Sequence, residues 1–230
     1  MYDNVFERVE QKYLINKREK DKLFKKINDN IEKDKYFETT ICNIYFDTID
    51  NDLIINSIEK PIYKDKIRLR SYGTPGMDDY VFLEIKNKYK GIVGKRRIKL
   101  TLREFYNYIE KGIYDEDNHI MKELDYYIKY YKLIPRIYIA YDRKSYVGKD
   151  NKLLRITIDC NLKSRRDNLK IEYGSEGEKY FDEDMYILEI KSLGSMPLWL
   201  VNALSELKIY PNSFSKYGSI YKKEDDNYVK

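Results

Sequence analysis

Lys66-Ile67-Arg68-Leu69-Arg70 reads basic, apolar, basic, apolar, basic. Successive side chains of a β-strand point to opposite faces. Lys66, Arg68 and Arg70 therefore share one face, and Ile67 and Leu69 the other. The pattern recurs along the chain. Arg8, Glu10 and Lys12 alternate with Val9 and Gln11. Glu84, Lys86 and Lys88 alternate with Leu83, Ile85 and Asn87, and Lys95, Arg97 and Lys99 with Arg96, Ile98 and Leu100. Arg155, Thr157 and Asp159 alternate with Ile156 and Ile158, and Glu189 and Lys191 flank Ile190. Six strand-like runs thus carry charges on one side and mostly aliphatic residues on the other.

The 230 residues suffice for one large domain or two small ones. At 42% hydrophobic and 36% charged, the chain is globular, with an unusually charged surface or a charged interior. Frequent apolar runs and 25 Tyr exclude general disorder. A net charge of +5 is too mild for a general nucleic-acid coat. Cys42 and Cys160 lie in apolar runs without metal-type spacing, and both read as buried, reduced thiols. There is no apolar leader and no run near the ~20 residues of a membrane span. The expectation is a soluble, cytoplasmic protein that binds no nucleic acid and does not insert into membranes.

In chain order, residues 5–15 read as a strand. Asn16 opens a helix to about Lys33, with Leu23, Phe24, Ile27 and Ile31 at helical spacing. Strands follow at 41–47, 63–72, 81–88 and 93–100, with a short helix capped by Asp50 or Asn51 and a loop holding Gly91. Thr101-Leu102-Arg103-Glu104 is a capping box opening a helix to about Lys111. A second helix spans 118–131. Strands at 136–147 and 153–162 pair across Gly148–Asn151. Arg165-Arg166 reads as a solvated loop, and a short polar strand lies near 169–173. Residues 186–191 form the last clear strand, 198–207 a helix, and the chain frays after Tyr221. The domain is expected over 1–221, with 222–230 a charged tail. Strand-rich spacing with helices in blocks predicts an α+β antiparallel barrel or sandwich.

The charged faces point outward around an aliphatic core, or inward to form a polar tunnel whose aliphatic outside the helices cover. Two features favour the tunnel: Glu mixed with Lys or Arg at i, i+2, and amphipathic helices that need an apolar surface. Arginine forks and lysine point charges hold phosphate oxygens. Clustered cations repel strongly unless a polyanion neutralises them. A few carboxylates could hold a hard divalent ion that bridges phosphates. This is equipment for phosphoryl transfer, which works by positioning and charge neutralisation.

The chain resembles the polyphosphate-polymerase domain of the VTC (vacuolar transporter chaperone) family, within the CYTH-like triphosphate tunnel metalloenzymes. The motifs that carry the resemblance are Arg8-x-Glu10-x-Lys12-Tyr13, Tyr45-Phe46-Asp47-Thr48, Arg68-x-Arg70 and Phe82-x-Glu84-x-Lys86. To these add Lys95-x-Arg97, Tyr141-x-Arg143, Arg155-x-Thr157-x-Asp159, Leu188-Glu189-x-Lys191 and Phe214-Ser215-Lys216-Tyr217. The resemblance implies an antiparallel β-barrel tunnel with flanking helices. It implies phosphate-holding roles for Lys12, Arg68, Arg70, Lys86, Lys95, Arg143, Arg155 and Lys191, and with them Arg8 and Arg97. Glu189, with Glu10, is the implied ligand of Mn²⁺ or Mg²⁺. Tyr141, Ser215 and Lys216 match positions near the transferred phosphate or chain end.

The implied activity moves the γ-phosphate of ATP onto inorganic polyphosphate and releases ADP. Arg8 departs from the superfamily's Glu-x-Glu-x-Lys opening, so one metal carboxylate is lost and a two-metal hydrolase is disfavoured. Eukaryotic relatives carry a sensing domain and membrane spans that this sequence lacks, so regulation and export, if any, need separate proteins, a membrane protein among them. Two alternatives stay open: a hydrolase of triphosphate or nucleoside triphosphates, which would use Glu10 and Glu84 as ligands, and a non-catalytic polyphosphate-binding module. Glu10 and Glu84 otherwise read as charge balance for Lys12 and Lys86. His119 has no assigned role, and Trp199 and the paired tyrosines Tyr126-Tyr127 and Tyr130-Tyr131 read as packing.

Overall fold

The computed structural model describes residues 8–59, 61–90, 92–181 and 184–225, with Arg8 placed by its backbone. Val5 to Glu7, the loop residue Gly91 and the tail beyond 225 lie outside the described residues. The chain forms two compact units. The first comprises 1–39, 141–162 and 181–215, and the second 40–140, 163–180 and 216–230.

The strands are β1 (Arg8–Asn16), β2 (Ile31–Asp47), β3 (Tyr63–Tyr72), β4 (Tyr80–Tyr89) and β5 (Ile92–Thr101), then β6 (Ile134–Gly148), β7 (Arg155–Arg165), β8 (Glu178–Lys179) and β9 (Met185–Leu193). The helices are α1 (Lys17–Ile27), α2 (Asp52–Ile58), α3 (Leu102–Lys111), α4 (His119–Tyr130), α5 (Leu198–Glu206) and α6 (Lys216–Glu224). The strands hydrogen-bond in the order β1-β9-β7-β6-β2-β3-β4-β5, and β8 pairs with β7. The class is α+β, an antiparallel sheet with flanking helices. The path has ends at β1 and β5, and among the described residues no ladder joins them. β5 carries Lys95, Arg96, Arg97 and Lys99 in near succession, a charge load that suits a strand at the end of a sheet.

In the second unit, Ile44, Phe46, Ile67, Leu69, Val81, Leu83 and Ile85 form the apolar face of β2–β4. Leu102, Phe105 and Tyr108 of α3 and Met121 and Leu124 of α4 cover it. The expected capping box holds α3: Thr101 Oγ1 accepts from Glu104 N, and the Glu104 carboxylate accepts from Thr101 N. Gly112 ends that helix at φ 69°, in the left-handed region glycine enters without strain. In the first unit, Tyr13, Ile15, Ile156, Ile158, Leu188 and Ile190 make the equivalent apolar face. Leu23 and Ile27 of α1 and Leu200 and Leu204 of α5 cover it. In both units these helices lie over the aliphatic strand face, and the charged residues occupy the other; α6 differs, its Tyr217 ring packing 5.1 Å from that of Tyr45 on the charged face.

Several boundaries differ from the sequence reading. α1 ends at Ile27, because Asn28-Asp29-Asn30 forms a 3-10 turn, and Ile31 is the buried first residue of β2. Residues 32–40 extend β2 with a mostly polar run in which no residue is fully buried. Residues 171–173 are a 3-10 turn where a strand was expected. The segment after Ser215 is helical, burying Tyr217, Ile220 and Tyr221 at i, i+3, i+4. Arg165 does not sit in a solvated loop. Its guanidinium donates to the carbonyls of Asn168, Lys170, Gly174 and Glu176 and fixes the turn after β7. Cys42 and Cys160 are free thiols, Cys42 buried and Cys160 only partly. No helix among the described residues is long and apolar enough to cross a membrane.

Candidate functional site

Register builds the first charged cluster, in the second unit. Tyr45 opposes Arg68, Arg68 opposes Glu84, and Glu84 opposes Arg97. One step along, Asn43 opposes Arg70, Arg70 opposes Phe82, and Phe82 opposes Lys99. One step the other way, Lys66, Lys86 and Lys95 face one another across β3, β4 and β5. All of these side chains lie on the face away from α3 and α4. On the same face of β3–β5, Glu84 is the one carboxylate among Lys66, Arg68, Arg70, Lys86, Lys95, Arg97 and Lys99.

Glu84 is the hub. Arg68 Nε donates to its Oε2 at 2.8 Å, and Arg68 Nη2 lies 2.7 Å from the same oxygen. Lys95 Nζ lies 2.7 Å and Arg97 3.9 Å from Oε1, and Arg70 lies 4.0 Å from Oε2. Burial alone would raise the Glu84 carboxyl, but Arg68, Arg70 and Lys95 pull it down to about 2. Asn43 aims Arg70: its Oδ1 accepts from Arg70 Nε at 2.9 Å, while its Nδ2 donates to the Ile139 carbonyl. Arg68 Nη1 donates to Tyr45 Oη at 3.1 Å. Burial would raise the Tyr45 phenol, yet Arg68, Arg70 and Lys66 bring it down to about 8. A single buried carboxylate orients the arginines without neutralising the face. What remains is a cationic surface preorganised for several phosphate groups.

The second cluster, in the first unit, is of mixed sign. Glu10 opposes Lys191, which opposes Arg155; Lys12 opposes Glu189, which opposes Thr157. Arg143 forks onto Asp159 at 2.6 and 2.8 Å and lies 3.7 Å from Glu189. Burial disfavours its charge, but Tyr141, Asp159 and Glu189 outweigh burial and raise Arg143 above its ordinary range. Lys191 Nζ sits 2.5 Å from Glu189 and 3.8 Å from Glu10. Lys12 lies 3.3 Å from Glu10 and donates to the Phe214 carbonyl at 3.4 Å. Arg155 pairs with Asp34 at 2.5 Å. Four cations here meet four carboxylates.

Among the described residues no group of three or more His, Cys, Asp or Glu side chains is placed to hold a metal ion. An all-protein cage is therefore not what Glu189 and Glu10 offer. They fit the other pattern, in which one or two carboxylates hold a small hard cation and substrate phosphates complete its shell. The buried Thr157 hydroxyl opposite Glu189 has no hydrogen-bond partner, leaving an oxygen for a further ligand at that point.

Of the residues expected from the sequence, Arg68, Arg70, Lys86, Lys95 and Arg97 come together in the second unit. Glu10, Lys12, Tyr141, Arg143, Arg155, Glu189 and Lys191 come together in the first. Tyr141 is buried beside Arg143, whose guanidinium carbon is 5.3 Å from its ring centre. Lys216 opens α6, directly after Ser215. The Arg8 side chain lies outside the described residues. Sequence reasoning gave no role to Asn43 or Tyr45. Their signal was parity: both lie on the face opposite Cys42, Ile44 and Phe46. Asp47 is buried at the N-terminus of α2, accepting from the N–H of Thr48, Leu53 and Ile54 and from the Tyr217 hydroxyl, and so anchors that helix. His119 is the exposed first residue of α4.

No curated protein matches the chain in sequence. Among solved structures, it is similar to a candidate adenylate cyclase of Bacillus halodurans, at 16% identity and a TM-score of 0.56 over 90% of this chain and 93% of that one. It is also similar to a candidate adenylyl cyclase of Hippeastrum described as having a dominant triphosphatase activity, at 14% identity and a TM-score of 0.55 over 94% and 96% of the two chains. At such identities the likeness is one of fold. The sequence profile of the VTC domain matches residues 7–223, nearly the whole length. The chain belongs to the VTC domain family.

Proposed function

We propose that the protein is a polyphosphate polymerase that moves the γ-phosphate of ATP onto the end of an inorganic polyphosphate chain and releases ADP. The observation that carries the reading is the face on which one buried carboxylate, Glu84, is set among seven cations. Such an excess has no use in packing and suits a ligand with many negative charges. Family membership supports the same class of substrate.

In this reading Arg68, Arg70 and Lys86 grip phosphate oxygens, and Lys95 and Arg97 extend the grip along β5. In the first unit, Lys12, Arg143, Arg155 and Lys191 hold phosphates, and Glu189 with Glu10 would hold Mn²⁺ or Mg²⁺. When bound, that ion would supply positive charge to offset that of the phosphates. An oxygen of the terminal chain phosphate bonds to the γ-phosphorus, and the bond to the β–γ bridging oxygen breaks, leaving ADP. The attacking oxygen is already ionised, so the step needs no strong general base. That agrees with a chain whose one histidine begins an exposed helix turn. Arg8, Tyr141, Ser215 and Lys216 are assigned to the same phosphate chemistry. The tunnel expected from the sequence belongs to this proposal; its support is that α3 and α4 in one unit, and α1 and α5 in the other, cover the aliphatic strand face rather than the charged one. A cytoplasmic location, and a separate membrane protein if the product is exported, belong to it too.

The likeness to the Hippeastrum protein favours a second reading, hydrolysis of triphosphate. Incubation with ATP and Mn²⁺ or Mg²⁺, with products resolved by gel and phosphorus NMR, decides between them. Long-chain polyphosphate with ADP, lost on Arg70→Ala and on Glu189→Ala, is the expected result. Orthophosphate without chains would replace the polymerase by the hydrolase. No turnover with tight binding of added polyphosphate would leave a binding module.

A further inference from the structure

We propose that Tyr72, Phe82 and Tyr80 form a nucleobase-stacking subsite, one strand step along the cationic face that grips the phosphates. The proposal rests on the nucleotide reading above and deepens it. By strand parity all three rings stand on the charged face of β3 and β4, away from the helices. Phe82 opposes Arg70 on one side and Lys99 on the other. The Phe82 and Tyr72 rings meet edge to face, with centroids 5.6 Å apart. Arg97 lies 4.6 Å from the Phe82 ring centre, and Lys99 3.5 Å from that of Tyr80.

These aromatics are not core residues. Tyr72 is 51% and Tyr80 57% exposed, although the same sheet has a well-filled apolar face behind it. Rings kept accessible among arginines and lysines are the arrangement by which proteins hold single nucleotides: cations take the phosphates and π-faces take the base. The spacing agrees. The Arg68–Glu84–Arg97 row and the Arg70–Phe82–Lys99 row are two residues apart on each strand, roughly 7 Å. That is the scale of the ribose that separates a base from its α-phosphate. The inorganic chain has no group to place there, so the rings serve the nucleotide and not the polymer. Stacking reads the face of a base and not its edge, so ATP and GTP should bind within about threefold of each other.

The test is calorimetric titration of ATP and, separately, inorganic tripolyphosphate into the full-length protein and its variants. Phe82→Leu with Tyr72→Leu should weaken ATP binding about tenfold and leave tripolyphosphate within about twofold. Tyr72→Phe, which keeps the ring, should bind ATP as the parent does. Tyr80→Leu, at an exposed position, gives a second reading should the double variant not fold. Equal loss of both ligands, or no loss of ATP, overturns the subsite. A parent protein that binds tripolyphosphate but not ATP overturns the subsite and leaves phosphate binding standing. A parent that binds neither overturns the functional reading itself.

Discussion

Glu84 ties the second unit's charged face together, and its protonation is the place to probe it. Its value near 2 lies below its ordinary 4.5, so the stabilisation is full above about pH 4.5 and is lost as pH falls toward 2. The size is roughly 3 kcal/mol. Glu84→Gln should therefore cost about 3 kcal/mol in urea unfolding at pH 7, and the gap to the parent should narrow to about half as the pH is lowered to 3. Tyr45 gives a second handle. Absorbance titration at the tyrosinate band should show one phenol ionising near pH 8, absent in Tyr45→Phe. Added tripolyphosphate should move that transition upward, because phosphates take the charge of Arg68 and Arg70 that favours the phenolate.

At the scale of single elements, the α3 cap is the cleanest test. Thr101→Ala removes the acceptor for Glu104 N and should cost about 1 kcal/mol, a fall of about 2–4 °C in melting temperature. How legible each element was follows from what its sequence had to satisfy. β3 and β4 were plain because one face fills a core and the other carries charge, giving strict alternation around Ile67, Leu69, Leu83 and Ile85. The same alternation made most of the candidate site legible. The first half of β2 was not, because Glu32 to Thr40 is mostly polar and its strand form comes from pairing, not from a buried stripe. The helix after Ser215 was masked by Gly218 and a charged end, and tertiary burial of Tyr217, Ile220 and Tyr221 overrides that weak propensity. Asn43 escaped because a lone polar residue in an apolar run gives no hint of the arginine it orients. Closure of the sheet was illegible in principle: periodicity assigns faces and says nothing of whether the end strands meet.

For the whole molecule, the modest net charge of +5 conceals a strongly cationic strand face. Binding there should depend on ionic strength far more than the net charge suggests. Saturating tripolyphosphate, at about a hundred times its dissociation constant, should stabilise the fold by about 2.7 kcal/mol. Thermal-shift assays should show that gain shrinking as salt rises from 50 to 500 mM, and shrinking less for Arg70→Ala, which starts from a smaller one.

The two compact units also interleave along the chain: each is assembled from three separate segments. β1, made first, pairs with β9, so Arg8 waits for Leu193. On a ribosome moving at about 5–20 residues per second, the first strand is without its partner for roughly 10–35 s. Throughout that interval Tyr13 and Ile15 are open to any binder of nascent chains. Neither unit is a contiguous stretch that could be expressed by itself, and a frameshift anywhere before β9 leaves both incomplete.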